Sequence, residues 1–117
     1  KFKGSGSVRR EWIYVEDAAN ALAFVMDNYS EPFPINIGVG GDATMEHLVA
    51  AIQSVVGTCI STSWDGSGGG VDRKLLSSAR LHNMGWDARI PLNMGLEMTY
   101  EWYVKAARAA GEPEQPA

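Results

Sequence analysis

Apolar positions recur along this chain in two rhythms, and the places where one gives way to the other mark out its elements. Between residues 10 and 15, Trp12, Ile13, Tyr14 and Val15 form a short run that predicts a strand apolar on both faces. From Asp17 the spacing changes. Ala18, Ala21, Leu22, Val25, Met26 and Tyr29 fall on one stripe at helical period, with Asp17 placed as the N-cap. Pro32 and Pro34 end that helix near Tyr29, because proline removes an amide donor and clashes with the preceding turn. Ile35-Asn36-Ile37 predicts a second short strand, stopped by Gly38-Val39-Gly40-Gly41. Thr44 then caps a second helix whose stripe is Met45, Leu48, Ile52, Val55 and Val56, closed by Gly57. Cys59 to Trp64 alternates again, as a strand does, before the glycine-rich loop from Asp65 to Gly70. Order resumes at Arg73-Lys74-Leu75-Leu76. Ser77 or Ser78 caps a short helix from Ala79 to Met84, and Gly85-Trp86 stops it. Pro91 suits the first turn of a last helix, in which Leu92, Leu96, Thr99, Tyr103 and Ala106 share a face.

Three or four short strands alternating with four helices imply an α/β, α+β-like arrangement. At 117 residues the chain suits one domain over residues 1–110, followed by a frayed tail over 111–117 that holds Pro113 and Pro116. Composition changes this picture little. Hydrophobic residues at 45% and charged residues at 21% are ordinary for a globular protein and exclude a disordered one. No apolar run nears the roughly 20 residues that span a bilayer, and Lys1-Phe2-Lys3-Gly4 lacks the apolar core of a signal peptide. A cytoplasmic protein with no membrane partner is the simplest expectation. The net charge of -4 argues against nucleic acid as a partner, so any anion site must be local. Cys59 cannot pair within the chain, and its alternating surroundings predict a buried structural thiol. His47 and His82 show no ligand spacing and are expected on helix surfaces, which leaves no metal site.

Two stretches suit anion chemistry. Gly38-Val39-Gly40-Gly41-Asp42-Ala43 has the form G-x-G-x-x-A between a strand and a helix, with Asp65 as a candidate ribose ligand. A glycine turn before a helix also forms without a ligand. The second stretch is split. Arg9-Arg10 follows the Gly4-Ser5-Gly6-Ser7 turn, and Arg73-Lys74 follows the later glycine run. Arginine offers two parallel donors and lysine a mobile point charge, a combination suited to a diphosphate. The competing reading is solvated surface charge paired with Glu11 or Asp72. No tyrosine has a lysine four residues later, so the usual acid and base pair of sugar-nucleotide oxidoreductases is missing, and no Ser, His and Asp grouping stands out. The glycine run itself suits an engineered linker, a mobile loop over a ligand or a degenerate former site.

Several of these segments together resemble the C-terminal portion of GDP-L-fucose synthases and related nucleotide-sugar epimerases of the extended short-chain dehydrogenase/reductase superfamily. They are Gly4-Ser5-Gly6 with Arg10-Glu11-Trp12-Ile13-Tyr14-Val15-Glu16-Asp17, Asn28-Tyr29-Ser30-Glu31-Pro32, Ile35-Asn36-Ile37-Gly38, Val55-Val56-Gly57, Arg73-Lys74-Leu75-Leu76, Leu81 with Gly85-Trp86, and Thr99-Tyr100-Glu101-Trp102. The resemblance runs from Gly4 to about Lys105. It implies that Arg10 and Lys74 hold a GDP-sugar, with Arg73, Arg9 and Ser5 or Ser7 assisting. It also implies that Ile35-Asn36-Ile37 belongs to a nucleotide-binding sheet, so that the Gly38 turn is structural.

The family's NADP-binding glycine motif and its Ser, Tyr and Lys catalytic residues are expected in an N-terminal portion that these 117 residues do not contain. Alone, the chain is then expected to bind without catalysing and to carry no cofactor. Two departures stand out. Lys3 occupies a position where the family has tryptophan, and Ser67 to Asp72 replaces a proline-containing segment, which implies a looser loop. A second expectation is of another class: a non-enzymatic module that self-associates through apolar surface left uncovered by a missing Rossmann half. A third is a complete small NAD-binding protein using Gly38 to Asp65.

Overall fold

The computed structural model describes residues 1–68 and 70–111, so position 69 of the glycine run and the tail beyond Gly111 lie outside the described residues. In chain order the elements are β1 (Arg9–Arg10), α1 (Val15–Asn28), β2 (Ala43–Thr44), α2 (Met45–Val56), β3 (Arg73–Lys74), α3 (Ala79–Asn83) and α4 (Leu92–Ala109). The class is α/β, with four helices and a small sheet of order β2-β1-β3. β1 runs antiparallel to β2, with Arg9 opposite Thr44 and Arg10 opposite Ala43. It runs parallel to β3, with Arg9 beside Arg73 and Arg10 beside Lys74.

Two helices follow the sequence closely. α2 starts at Thr44, whose Oγ1 accepts the amide of His47 at 3.1 Å, and ends at Gly57 in the left-handed region. α1 ends at Asn28, as its prolines require, and Tyr29 follows with its amide donated to the carbonyl of Val25. The start of α1 differs from the expectation. The strand expected over 10–15 is only Arg9–Arg10, because β2 and β3 are each two residues long and the ladder has no further partner. Val15 already opens α1, and the N-cap is Tyr14. Asp17 therefore lies inside the first turn. Its buried carboxylate accepts the amides of Arg89 (3.0 Å) and Ile90 (2.8 Å), which ties the approach to α4 onto α1. Ser78 stands before α3 without a side-chain cap.

The other expected strands also give way, for the same reason. Ile35 to Ile37 forms no ladder among the described residues, although Ile35 and Ile37 do pack on the core while Asn36 is exposed. From Cys59 to Trp64 only one bridge forms, between Trp64 and Phe2, whose rings stack at 4.9 Å. Without a ladder to cover it, Cys59 is exposed, which corrects the buried thiol expected for it.

The core is small. Ala21, Leu81 and Trp86 form its buried centre, joined by Ile13, Phe24, Val25, Ile35, Ile37 and Ala88. The indole of Trp86 donates to Asn20 Oδ1 at 2.9 Å, so burying it leaves no orphaned donor. On α4, Gly95 lies against the Tyr14 ring; a Cβ there would sit 3.2 Å from Tyr14 Cδ2. The radius of gyration is 17.3 Å, against about 13 Å for a compact domain of this length, and the shortest extent is 19 Å. A slab this thin leaves much apolar area in water. Of the stripe expected on α1, Ala21 is buried but Leu22 is 57% and Met26 83% exposed.

Candidate anion site on the three-stranded sheet

The sheet brings together two basic pairs that are far apart in sequence. Because β1 and β3 are parallel and in register, Arg9 lies beside Arg73 and Arg10 beside Lys74. Successive side chains on a strand point to opposite faces, so the four cations divide into two like-charged couples, one on each face. Like charges on neighbouring strands repel, and each couple needs an anion.

On one face the anion is Asp42. Its carboxylate, only 2% exposed, accepts Arg9 Nε at 2.8 Å and Arg9 Nη2 at 2.7 Å on one oxygen and Arg73 Nε on the other. Arg9 Nη2 also donates to the carbonyl of Asp42 at 3.1 Å. These charge-assisted bonds from Arg9 and Arg73 hold the Asp42 carboxyl below its ordinary value of 3.8. Of the partners weighed from sequence, neither Glu11 nor Asp72 pairs with a basic side chain among the described residues. Asp72 gives its backbone carbonyl to the amide of Arg9 at 2.8 Å.

On the other face no such anion is present among the described residues. Arg10 turns one donor back to the carbonyl of Arg9 at 2.6 Å. Its remaining donors, and the ammonium of exposed Lys74, have no partner there. The arrangement can accept an anion with two or more adjacent oxygens from a planar fork and a point charge together.

Ser5 is placed on the adjoining turn. Its hydroxyl lies 2.7 Å from that of Ser7 and accepts the Ser7 amide at 3.3 Å, so each serine already has one partner. Asp65, the candidate ribose ligand, takes the amides of Gly4 (2.9 Å) and Ser67 (2.8 Å) and the Ser67 hydroxyl (2.5 Å). These bonds, with the Ser67 hydroxyl foremost, hold the Asp65 carboxyl below its ordinary pKa of 3.8. Asp65 thus closes the Gly4 turn onto the glycine run.

Glu11 was visible in the sequence only as a neighbour of Arg10. In the fold its Oε1 accepts the amides of Val39 (2.7 Å) and Gly40 (2.9 Å), while Oε2 accepts the amide of Leu76 at 3.1 Å. Gly38 makes this approach possible, since a Cβ there would stand 2.6 Å from Glu11 Oε1. The backbone donors that a G-x-G turn would offer to a pyrophosphate are therefore filled by a carboxylate of the chain itself. The start of α2 is filled as well. Met45 donates its amide to Val8 (2.9 Å), Glu46 to Gly6 (3.0 Å) and His47 to Thr44 Oγ1. As folded, the Gly38 to Asp65 unit does not fit a dinucleotide.

A cleft of about 440 Å³ lies beyond Asp42, lined by Trp12, Val39, Asp42, His47, Arg89 and Ile90 among others, and neither Arg10 nor Lys74 reaches it. His47 and His82 are both exposed on helices. Among the described residues no group of three or more His, Cys, Asp or Glu could hold a metal ion, and no helix is long and apolar enough to cross a membrane.

Known proteins share this architecture. Residues 1–38 match the NAD dependent epimerase/dehydratase family. The chain is 41% identical over 103 residues to a probable GDP-L-fucose synthase 1 of Oryza sativa subsp. japonica, covering 87% of this chain and 31% of that protein. It is 42% identical over 102 residues to a GDP-L-fucose synthase of Sinorhizobium fredii, covering 86% and 32%. A solved structure of a GDP-mannoheptose C4 reductase from Campylobacter jejuni with NADP bound superposes with a TM-score of 0.77 at 32% identity, over 88% of this chain and 34% of that one. The chain thus spans about a third of the length of the relatives it matches.

Proposed function

Over the part it spans, the chain belongs to the NAD dependent epimerase/dehydratase family, and from that premise we propose that its sheet holds the diphosphate of a GDP-sugar. The observation that carries this reading is the uncompensated couple of Arg10 and Lys74, set side by side by strand pairing. Arg10 supplies a fork to two phosphate oxygens, and Lys74 supplies the second charge. Arg9 and Arg73 support this from the opposite face through Asp42, and Ser5 lies on the turn that leads into β1. NADP, bound in the Campylobacter jejuni reductase, finds no fitting donors on the Gly38 turn of this chain. Redox chemistry on the sugar is assigned to polypeptide outside these 117 residues. Calorimetry with GDP and with GDP-fucose on the wild type and on Lys74→Ala tests the site. At least tenfold weaker binding by the variant is expected; equal heats for the two proteins reject it.

A specific observation also favours a second reading, a module that associates through apolar surface. Val15 (69% exposed), Leu22 (57%) and Met26 (83%) lie on one face of α1. Under the first reading this face is where a cofactor-binding half would pack; under the second it meets another copy of the chain. Sedimentation at micromolar concentration distinguishes them, since a clean monomer removes self-association.

A further inference from the structure

We propose that Asp42 and Glu11 are positioning residues for the anion site, acting together to hold Lys74 beside Arg10; the proposal rests on the diphosphate reading above. β3 has little else to hold it. It is two residues long, both of its residues are exposed, and only Val71 and Asp72 separate it from Gly70. Among the described residues its only strand neighbour is β1, which carries the same charges in the same order. Pairing the two strands sets cation beside cation at the interstrand spacing of about 4.8 Å, so pairing without an added anion is electrostatically opposed.

Asp42 and Glu11 supply what the pairing lacks, each in a different way. Asp42 stands at the start of β2, on the far side of β1 from β3, and bridges Arg9 and Arg73 with its two oxygens. It therefore ties together residues from β1 and β3, and offsets the repulsion within the couple that does not face the ligand. Glu11 directly follows Arg10, and Leu76 lies just past Lys74. The Glu11 carboxylate bonded to the Leu76 amide thus fixes β3 at its other end. Between the two ties lie Arg10 and Lys74, the couple left without an anion. The internal carboxylates set the spacing of two cations that they do not neutralise.

The substitutions can be made nearly isosteric. Asp42→Asn keeps the shape and removes the charge between Arg9 and Arg73. Glu11→Gln keeps one oxygen for the amides of Val39 and Gly40 but presents an NH2 group to the amide of Leu76, releasing β3 alone.

The experiment measures binding of inorganic pyrophosphate to the 117-residue chain in four proteins: wild type, Asp42→Asn, Lys74→Ala and the double variant. Amide exchange at Leu76 is followed in the wild type, Asp42→Asn and Glu11→Gln. If Asp42 acts through Lys74, Asp42→Asn weakens binding about tenfold in the wild-type background and less than twofold in the Lys74→Ala background. A purely structural role gives the same loss in both. Leu76 is expected to exchange at least tenfold faster in both Asp42→Asn and Glu11→Gln, while the amide of Ala21, buried in the interior of α1, stays protected. Additive losses, tighter binding by Asp42→Asn, or unchanged exchange at Leu76 overturn the positioning role and leave the diphosphate reading intact. Failure of the wild type to bind pyrophosphate, GDP and GDP-fucose overturns both.

Discussion

The sheet and the face of α1 are built to opposite degrees of completion. Around β1, β2 and β3 the carboxylates are answered within the chain: Asp42 by two arginines, Glu11 by three amides, Asp65 by the Gly4 turn and Ser67. No buried side-chain polar atom among the described residues lacks a partner. On α1 the reverse holds. The polar Asp17 is buried and satisfied, whereas Leu22 and Met26 stand in water. A carboxylate can be satisfied by three nearby amides, but an apolar stripe needs a whole opposing surface. A segment about a third the length of its relatives can therefore satisfy its own carboxylates, while its hydrophobic burial stays incomplete.

The contrast is broken most severely from inside the core. Leu81, wholly buried, joins α3 to Ala21 and Trp86, so Leu81→Ala is expected to cost about 2–5 kcal/mol in urea unfolding. So large a loss in a small core should leave little folded chain at 25 °C. The next effect falls on the polar ties. Asp17→Ala leaves the part-buried amides of Arg89 and Ile90 without an acceptor, and a loss of about 1–3 kcal/mol is expected by the same measurement. Gly38→Ala sets a methyl against Glu11; the expected sign is a faster-exchanging Leu76 amide together with a lower melting temperature.

Acid should separate the two regions without mutation. Asp42 titrates below 3.8 in the fold because Arg9 and Arg73 favour its charged form. A group with a depressed folded pKa stabilises fully above its unfolded value, and that stability is lost as pH falls through the folded one. Between neutrality and about pH 4 the sheet should therefore keep its Asp42 contribution, and below that range lose it. Leu76 exchange, corrected for intrinsic rates, should accelerate there by a larger factor in the wild type than in Asp42→Asn, where only the Glu11 carboxylate remains for acid to act on. The smallest effect is expected at the uncovered stripe. Met26→Ser should change unfolding free energy by no more than about 0.5 kcal/mol, and a larger loss would mean that the stripe is covered in solution.

How much of this was legible in the sequence depended on the range of the forces involved. α2 was legible from Thr44 to Gly57 because cap, stripe and stop are all local signals. α1 was legible in its extent but not in its start, since Asp17 answers to Arg89 and Ile90, which lie in a distant segment. The strands at 35–37 and 59–64 alternate correctly and still form no ladder, because a strand requires a partner that periodicity cannot supply. The two basic pairs could be named, yet their division by face could not. It follows from strands two residues long, too short to show any rhythm. Asp42 was visible as part of a glycine motif, and nothing local marked it as the counter-ion of Arg9 and Arg73.

The bond from Leu76 to Glu11 joins residues 65 positions apart. Closing so long a loop carries an entropic cost that local helices do not face, and contacts of this kind form late in folding. The chain should therefore acquire α1 and α2 well before it acquires any affinity for an anion. During refolding, recovery of pyrophosphate binding should lag behind recovery of helical circular dichroism, so the ligand would serve as a clock for the last step.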